Sequence, residues 1–182
     1  MPALTEERPA IDARAFRKIC GRLPTTVVVA GGMHQDKPVG MVVGTFTTVS
    51  LDPLLVGYFA MSNSATFGVL NQLESHSFSV LAQHDADTVD SFSRPLDERF
   101  DGLSWTVSEY GTPVLDSALM TFHTRPHAVT PAGDHHLVLS EVLDVAVPAE
   151  AGRPLLFADG RMTGLVDAGR SVPDGWTLYR TW

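Results

Sequence analysis

The sequence predicts a mainly β protein, a barrel carrying short helices at its periphery. Three observations lead there. About seven β-branched or apolar runs follow one another closely, without a helix between each pair, which disfavours a doubly wound sheet. No Gly-x-Gly-x-x-Gly follows a first strand, which disfavours a Rossmann dinucleotide domain. The run Gly40-Met41-Val42-Val43-Gly44-Thr45-Phe46-Thr47-Thr48-Val49-Ser50-Leu51-Asp52-Pro53 begins and ends like a buried strand but carries hydroxyls in its middle. A planar ligand with a polar edge could use those hydroxyls together with a backbone approachable at Gly44.

The elements follow in order. Residues 1–10 read as a frayed arm, 11–165 as the folded domain and 166–182 as a polar tail ending in Trp176, Tyr179 and Trp182. Ile11 to Cys20 reads as a helix with Asp12 near its start and Gly21 at its end. Ile11, Ala15, Phe16, Ile19 and Cys20 fall on one side of it. Thr25 to Ala30 is strand-like, and Gly31-Gly32 reads as a turn. Val39 to Leu51 is the hydroxyl-rich strand. Leu54 to Met61, apolar on both sides, reads as a central strand.

Ser62-Asn63-Ser64-Ala65-Thr66 offers good N-cap residues, and Phe67, Leu70 and Leu73 follow at helical spacing. The helix expected from Ala65 to Glu74 therefore opens with hydroxyls and free N–H donors, a combination that favours an anion. An ordinary N-cap explains the same residues and is compatible with that role. Ser77 to Ala82 returns to strand, and Asp85 to Phe92 reads as helix. Residues 93–111 form a charged surface excursion. Val114 to Arg125 and His135 to Val147 are long strands around a Gly133-Asp134 turn, and Pro154 to Phe157 is a last short one.

Composition bounds the function. At 182 residues the chain suits one well-buried domain. A net charge of -8 argues against a nucleic-acid surface, because phosphate backbones need a basic footprint. A single cysteine, Cys20, rules out an internal disulfide and suits a reducing cytoplasm. It lies on the apolar side of its helix and reads as core. No apolar run approaches the ~20 residues of a membrane helix. His135 and His136 point to opposite faces of a strand, so one of them at most lines a given site. His123 and His127 share a face, but no Glu or Cys completes a metal set.

These residues carry a resemblance. Phe16-Arg17, Pro24-Thr25-Thr26-Val27-Val28-Val29, the segment Gly40 to Pro53, Phe100-Asp101-Gly102, Gly111 to Asp116, Gly133-Asp134-His135 and Pro154-Leu155-Leu156-Phe157 with Gly160-Arg161 stand in the order found in the flavin reductase-like family. The chain resembles that family from about Phe16 to Leu165. The resemblance implies an FMN-binding split β-barrel, Greek-key-like. It also implies an NAD(P)H-dependent flavin reductase serving a separate flavin-dependent monooxygenase, and a homodimer. The cofactor implied is FMN, with FAD as the alternative, and NADH or NADPH is the hydride donor.

It further implies site residues. Thr45, Phe46, Thr47, Thr48 and Ser50 would border the flavin. Ser62, Asn63, Ser64 and Thr66 would hold its phosphate, with Arg94 adding positive charge. Ser79 stands where relatives often carry Asn. His135 is the residue expected near the nicotinamide or the reactive face of the flavin. Departures from the family pattern fall at Val42 and Gly44 (Thr-x-Asn in relatives), Leu54 (Pro), His123 (Cys) and Met162 (Tyr). Two alternatives remain open from the sequence: a redox enzyme that keeps its flavin and acts on an organic substrate, and a non-enzymatic FMN-binding module.

Overall fold

The computed structural model describes residues 11–149 and 152–165. The expected arm at 1–10 and the tail at 166–182 lie outside them. In chain order the elements are α1 (Ala13–Cys20), β1 (Thr25–Thr26), β2 (Val28–His34), β3 (Lys37–Val43), β4 (Thr47–Leu51), β5 (Leu54–Met61) and α2 (Ala65–Leu70). Then come β6 (His76–Val80), α3 (Thr88–Ser91), β7 (Trp105–Val107), β8 (Pro113–Leu115), β9 (Met120–Ala132), β10 (His135–Ala146), β11 (Leu155–Ala158) and β12 (Arg161–Gly164).

The main sheet runs β3-β2-β6-β9-β10-β5-β4, antiparallel throughout. A small sheet, β1-β11-β12, continues from it, and β7 pairs with β8. The terminal strands β3 and β4 are joined only by Gly44, Thr45 and Phe46, which belong to neither ladder.

Alternation builds the core. Val28, Ala30, Phe78, Val80, Val56, Tyr58, Ala60 and Val138 turn inward from the central strands and meet Phe67 and Leu70 of α2. A second cluster, around Val27, Val29, Leu81, Phe92, Phe100, Leu115 and Leu155, lies under the 92–118 segment. Phe78 is at the centre: its ring lies 5.0 Å from Phe46 and 5.4 Å from Tyr58, centroid to centroid.

Several expectations need correction. Gly31-Gly32 is not a turn but the middle of β2. The need there is close approach: a Cβ on Gly32 would stand 2.5 Å from Leu73 Cδ1. The turn comes at Gln35 and Asp36, both at positive φ. The 39–51 run is two strands, broken at Gly44. Val114 to Arg125 is also broken, and the long strand β9 begins at Met120 and runs on to Ala132. The helices are shorter than their patterns: α2 stops at Leu70 and α3 spans four residues.

The apolar side of α1 does not pack on the described core. Ile11, Phe16 and Ile19 are 58–66% exposed, and Cys20 is half-buried. The helix is instead fixed at its ends. Asp12 caps Ala15 N–H at 2.7 Å, and the Gly21 carbonyl accepts from Asp159 N–H at 2.7 Å.

Candidate functional site

The break between β3 and β4 opens a cleft of about 460 Å³, a volume suited to a small ligand. Met41 to Thr45 form its floor, Phe59 and Met61 of β5 its apolar lip, and Ser64, Thr66, Val89, Phe92, Ser93, Arg99 and His135 the remaining wall. Three chain segments distant in sequence therefore converge on one ribbon.

Thr45 explains how the ribbon is held away from the sheet. Its hydroxyl accepts from Phe59 N–H at 2.9 Å and donates to Phe59 C=O at 3.3 Å. The side chain thus stands in for a backbone rung, which leaves the N–H groups of Thr45 and Phe46 without partners among the described residues. Free N–H donors beside a cleft are costly unless water or a ligand satisfies them.

At Ser64 the hydroxyl accepts from Phe67 N–H at 3.2 Å and caps α2. Thr66, buried on the first turn, accepts from Arg99 at 2.9 Å. The same guanidinium donates to Gly40 C=O at 2.9 Å and to Arg94 C=O at 3.1 Å. All its partners are neutral. Among the described residues no carboxylate lies within ion-pair range of Arg99, so its charge is uncompensated. The charge pattern predicts a surface excursion over 93–111, whereas the structure brings Arg99 of that stretch to the cleft wall. Its only signal was a cation next to Phe100, whose burial turns the loop inward.

His135 reaches the cleft from the start of β10, paired in register with Met61. Its Nδ1 lies 2.7 Å from Asp134 Oδ1. The hydrogen bond from His135, the charge of that ring whenever it is protonated, and the charge of Arg17 act to hold the Asp134 carboxyl below its usual range. His136 points the other way, as alternation requires, but it is not a surface residue: its ring packs 5.5 Å from Phe67.

Of the residues singled out from sequence, the cleft gathers Thr45, Ser64, Thr66 and His135. Phe46 turns into the core, packed between Phe78 and Phe122. Thr47, Thr48 and Ser50 lie on β4 beyond the cleft lining, and Ser50 Oγ is used locally by Asp52 N–H. Ser62 and Asn63 are exposed just before α2. Ser79 is fully buried, bonded to Thr121 and Leu115 in the sheet, and does not line the cleft. Arg94 is exposed, and its guanidinium donates to Asp101 C=O. His76 and His123 are held below the ordinary 6.5 mainly by burial. Among the described residues no group of three His, Cys, Asp or Glu side chains could hold a metal ion.

The family described as "Flavin reductase like domain" matches residues 20–165. The chain belongs to the flavin reductase-like family. It is 30% identical over 167 residues to the reductase subunit HsaB of a flavin-dependent monooxygenase from Mycobacterium tuberculosis, covering 91% of this chain and 89% of that protein. It is 32% identical over 149 residues to the FMN reductase (NADH) SmoA of Agrobacterium fabrum, covering 82% and 84%. The crystal structure of nitrilotriacetate monooxygenase component B from Mycobacterium thermoresistibile superposes with a TM-score of 0.86 at 29% identity, over 95% of this chain and 97% of that one.

Membership makes the protein an oxidoreductase of the flavin reductase type, with the mainly β split-barrel fold. The cleft of this flavin reductase fits a flavin chemically. Thr45 brings a backbone N–H without a described partner to the cleft lining, Phe59 and Met61 offer apolar contact, and a guanidinium without a carboxylate partner among the described residues suits a phosphate. Among the described residues no helix is long and apolar enough to cross a membrane.

Proposed function

We propose that the chain is the NAD(P)H-dependent reductase of a two-component system, taking FMN as its flavin and delivering it reduced to a separate monooxygenase. One observation carries this reading: the ribbon Met41–Thr45, the cation Arg99 and the histidine His135 line a single open cleft. The relatives named as a reductase subunit and as an FMN reductase (NADH) support it. FAD and NADPH are the competing choices at the two binding positions.

Bound flavin would supply the hydride acceptor. The protein's own groups would do the rest. The N–H groups of Thr45 and Phe46 would fix the polar ring edge, and Arg99 with Thr66 and Ser64 would hold the phosphate. His135 would orient the nicotinamide amide. Hydride transfer needs two rings held close and dry, with no general acid at the reacting carbon. Phe59 and Met61, both exposed on the lip, would be covered by the second ring. Under nitrogen, purified protein mixed with FMN and NADH is expected to bleach flavin absorbance. Absence of bleaching with either nucleotide overturns the reductase reading.

The same reading includes a homodimer. Phe59 faces Leu137 across the β5–β10 ladder, and Leu139 packs over Gly57 beside Val49, forming an apolar strip continuous with the cleft lip. Light scattering should give about twice the chain mass of 19.7 kDa. A strictly monomeric species would contradict the pairing. With one cysteine and no need for a disulfide, the reducing cytoplasm is the proposed location.

A further inference from the structure

We propose that Asp134 is a positioning residue for His135: it fixes the imidazole with its proton on Nδ1 and presents Nε2 to the cleft as a hydrogen-bond acceptor. The inference rests on the flavin–nicotinamide reading of the cleft. The geometry that carries it is the contact between Asp134 Oδ1 and His135 Nδ1 at 2.7 Å. An ionised carboxylate can only accept, so Nδ1 must be the donor. In a neutral imidazole the other nitrogen then keeps its lone pair. Free histidine in water prefers the opposite tautomer, with the proton on Nε2. The contact therefore selects the form that solution disfavours.

The carboxylate is well placed to enforce this. Its backbone is pinned from two sides. Gly133 turns the chain at a φ of +68°, and the Asp134 carbonyl accepts from Ser62 N–H at 3.0 Å. The turn is thus tied to the segment that leads into the Ser64 cap. The positive charge of Arg17, on α1, lies near enough to favour the ionised carboxylate as well. Asp134 itself is 87% exposed and outside the cleft lining, so its effect on the site passes through the ring of His135.

A functional consequence follows from the lone pair. Nε2 as an acceptor takes an N–H donor, such as the –NH2 of a carboxamide. A nicotinate carboxylate in the same place has no proton to give and meets lone pair against lone pair. Asp134 would thereby favour the amide form of the dinucleotide over its acid form, without touching either.

Two measurements on the full-length protein test this. Nitrogen-15 NMR of histidine-labelled, ligand-free protein at neutral pH is expected to show His135 with Nδ1 protonated and Nε2 unprotonated. In Asp134→Ala the ring should shift to the Nε2–H form. In steady-state assays, Asp134→Ala should raise KM for NADH about tenfold, the scale of one lost hydrogen bond between ring and nicotinamide. Neither kcat nor FMN affinity should change. Asp134→Asn, whose side-chain oxygen still accepts, should recover most of the loss. In a His135→Ala background the same Asp134→Ala change should cost nothing further. A wild-type His135 protonated on Nε2, or an Asp134→Ala loss that adds fully to that of His135→Ala, overturns the proposal. Should the wild type reduce no flavin, the reading of the cleft fails, and the NMR result still decides the role of Asp134 alone.

Discussion

Replacing Arg99 with alanine is expected to weaken FMN binding by about 30- to 150-fold, or about 2–3 kcal/mol, the low end of what is lost when one partner of a charged pair is removed. The low end applies because Arg99 is only half-buried and solvent screens part of the interaction. The physical basis is its set of partners. Its guanidinium reaches Gly40 C=O, Arg94 C=O and Thr66 Oγ1, all neutral, and so holds a whole positive charge in the cleft. Riboflavin, which lacks the phosphate, supplies the control: its affinity should be unchanged by the substitution. Fluorescence-quenching titration with both ligands separates the outcomes. Equal weakening of FMN and riboflavin would mean that Arg99 supports the cleft wall and not the phosphate. Arg99→Lys should fall between wild type and alanine, since an ammonium keeps the charge but not the fork that spans three acceptors. Arg94→Ala should leave FMN affinity near wild type, because that guanidinium lies outside the cleft lining.

Phe78→Ala should lower the free energy of unfolding by about 3–5 kcal/mol, the usual cost of emptying a buried phenyl site. That is a large part of the ~5–15 kcal/mol that holds a domain together. Phe78 is 1% exposed and contacts Phe46, Tyr58 and His76 from a central strand, so little can move in to fill the gap. Phe78→Leu keeps most of the volume and should cost less than half as much. Urea denaturation of both variants checks the order. A Phe78→Ala loss under about 1 kcal/mol would mean that the site collapses readily, contrary to the packing seen here. Because Phe46 rests on Phe78 and also closes the end of the cleft ribbon, Phe78→Ala should also loosen the ribbon.

Much of this was legible in the sequence, for a physical reason in each case. The runs that became β5, β6 and β10 could be read because β-branched and apolar residues dominate them, and β6 is buried along its whole length. The Gly133-Asp134-His135 turn could be read because Gly133 alone accepts the backbone angle the hairpin requires. The ribbon at 40–53 could be singled out because hydroxyls displace aliphatics there. The chain break inside it was not legible. Nothing local at Gly44 says that the next residue will use its side chain as a ladder rung. Gly31-Gly32 misled for the opposite reason: glycine marks turns, but it also marks places where another side chain must come close, and Leu73 lies 41 residues on. Arg99 was hidden among three acidic neighbours, Asp97, Glu98 and Asp101, whose charges face solvent. Its role depends on the loop fold, which no spacing encodes. Ser79 fitted the family position, but its strand is covered on both sides.

The margins of the open sheet bear on how the chain survives at high concentration. Strand ends with unsatisfied amides invite stacking of further chains into fibrils. On β3 the groups that point away from β2 belong to alternate residues. Pro38 has no amide hydrogen to offer, and the oxygen of Gly40 is already taken by Arg99. On β4 a register shift between Thr48 and Ser50 spoils the regular spacing, and Thr47, Thr48 and Ser50 give that margin hydroxyls that prefer water to a neighbouring strand. Among the described residues both terminal strands therefore carry their own protection against aggregation, and on β3 one of the protecting groups is the cation that lines the cleft.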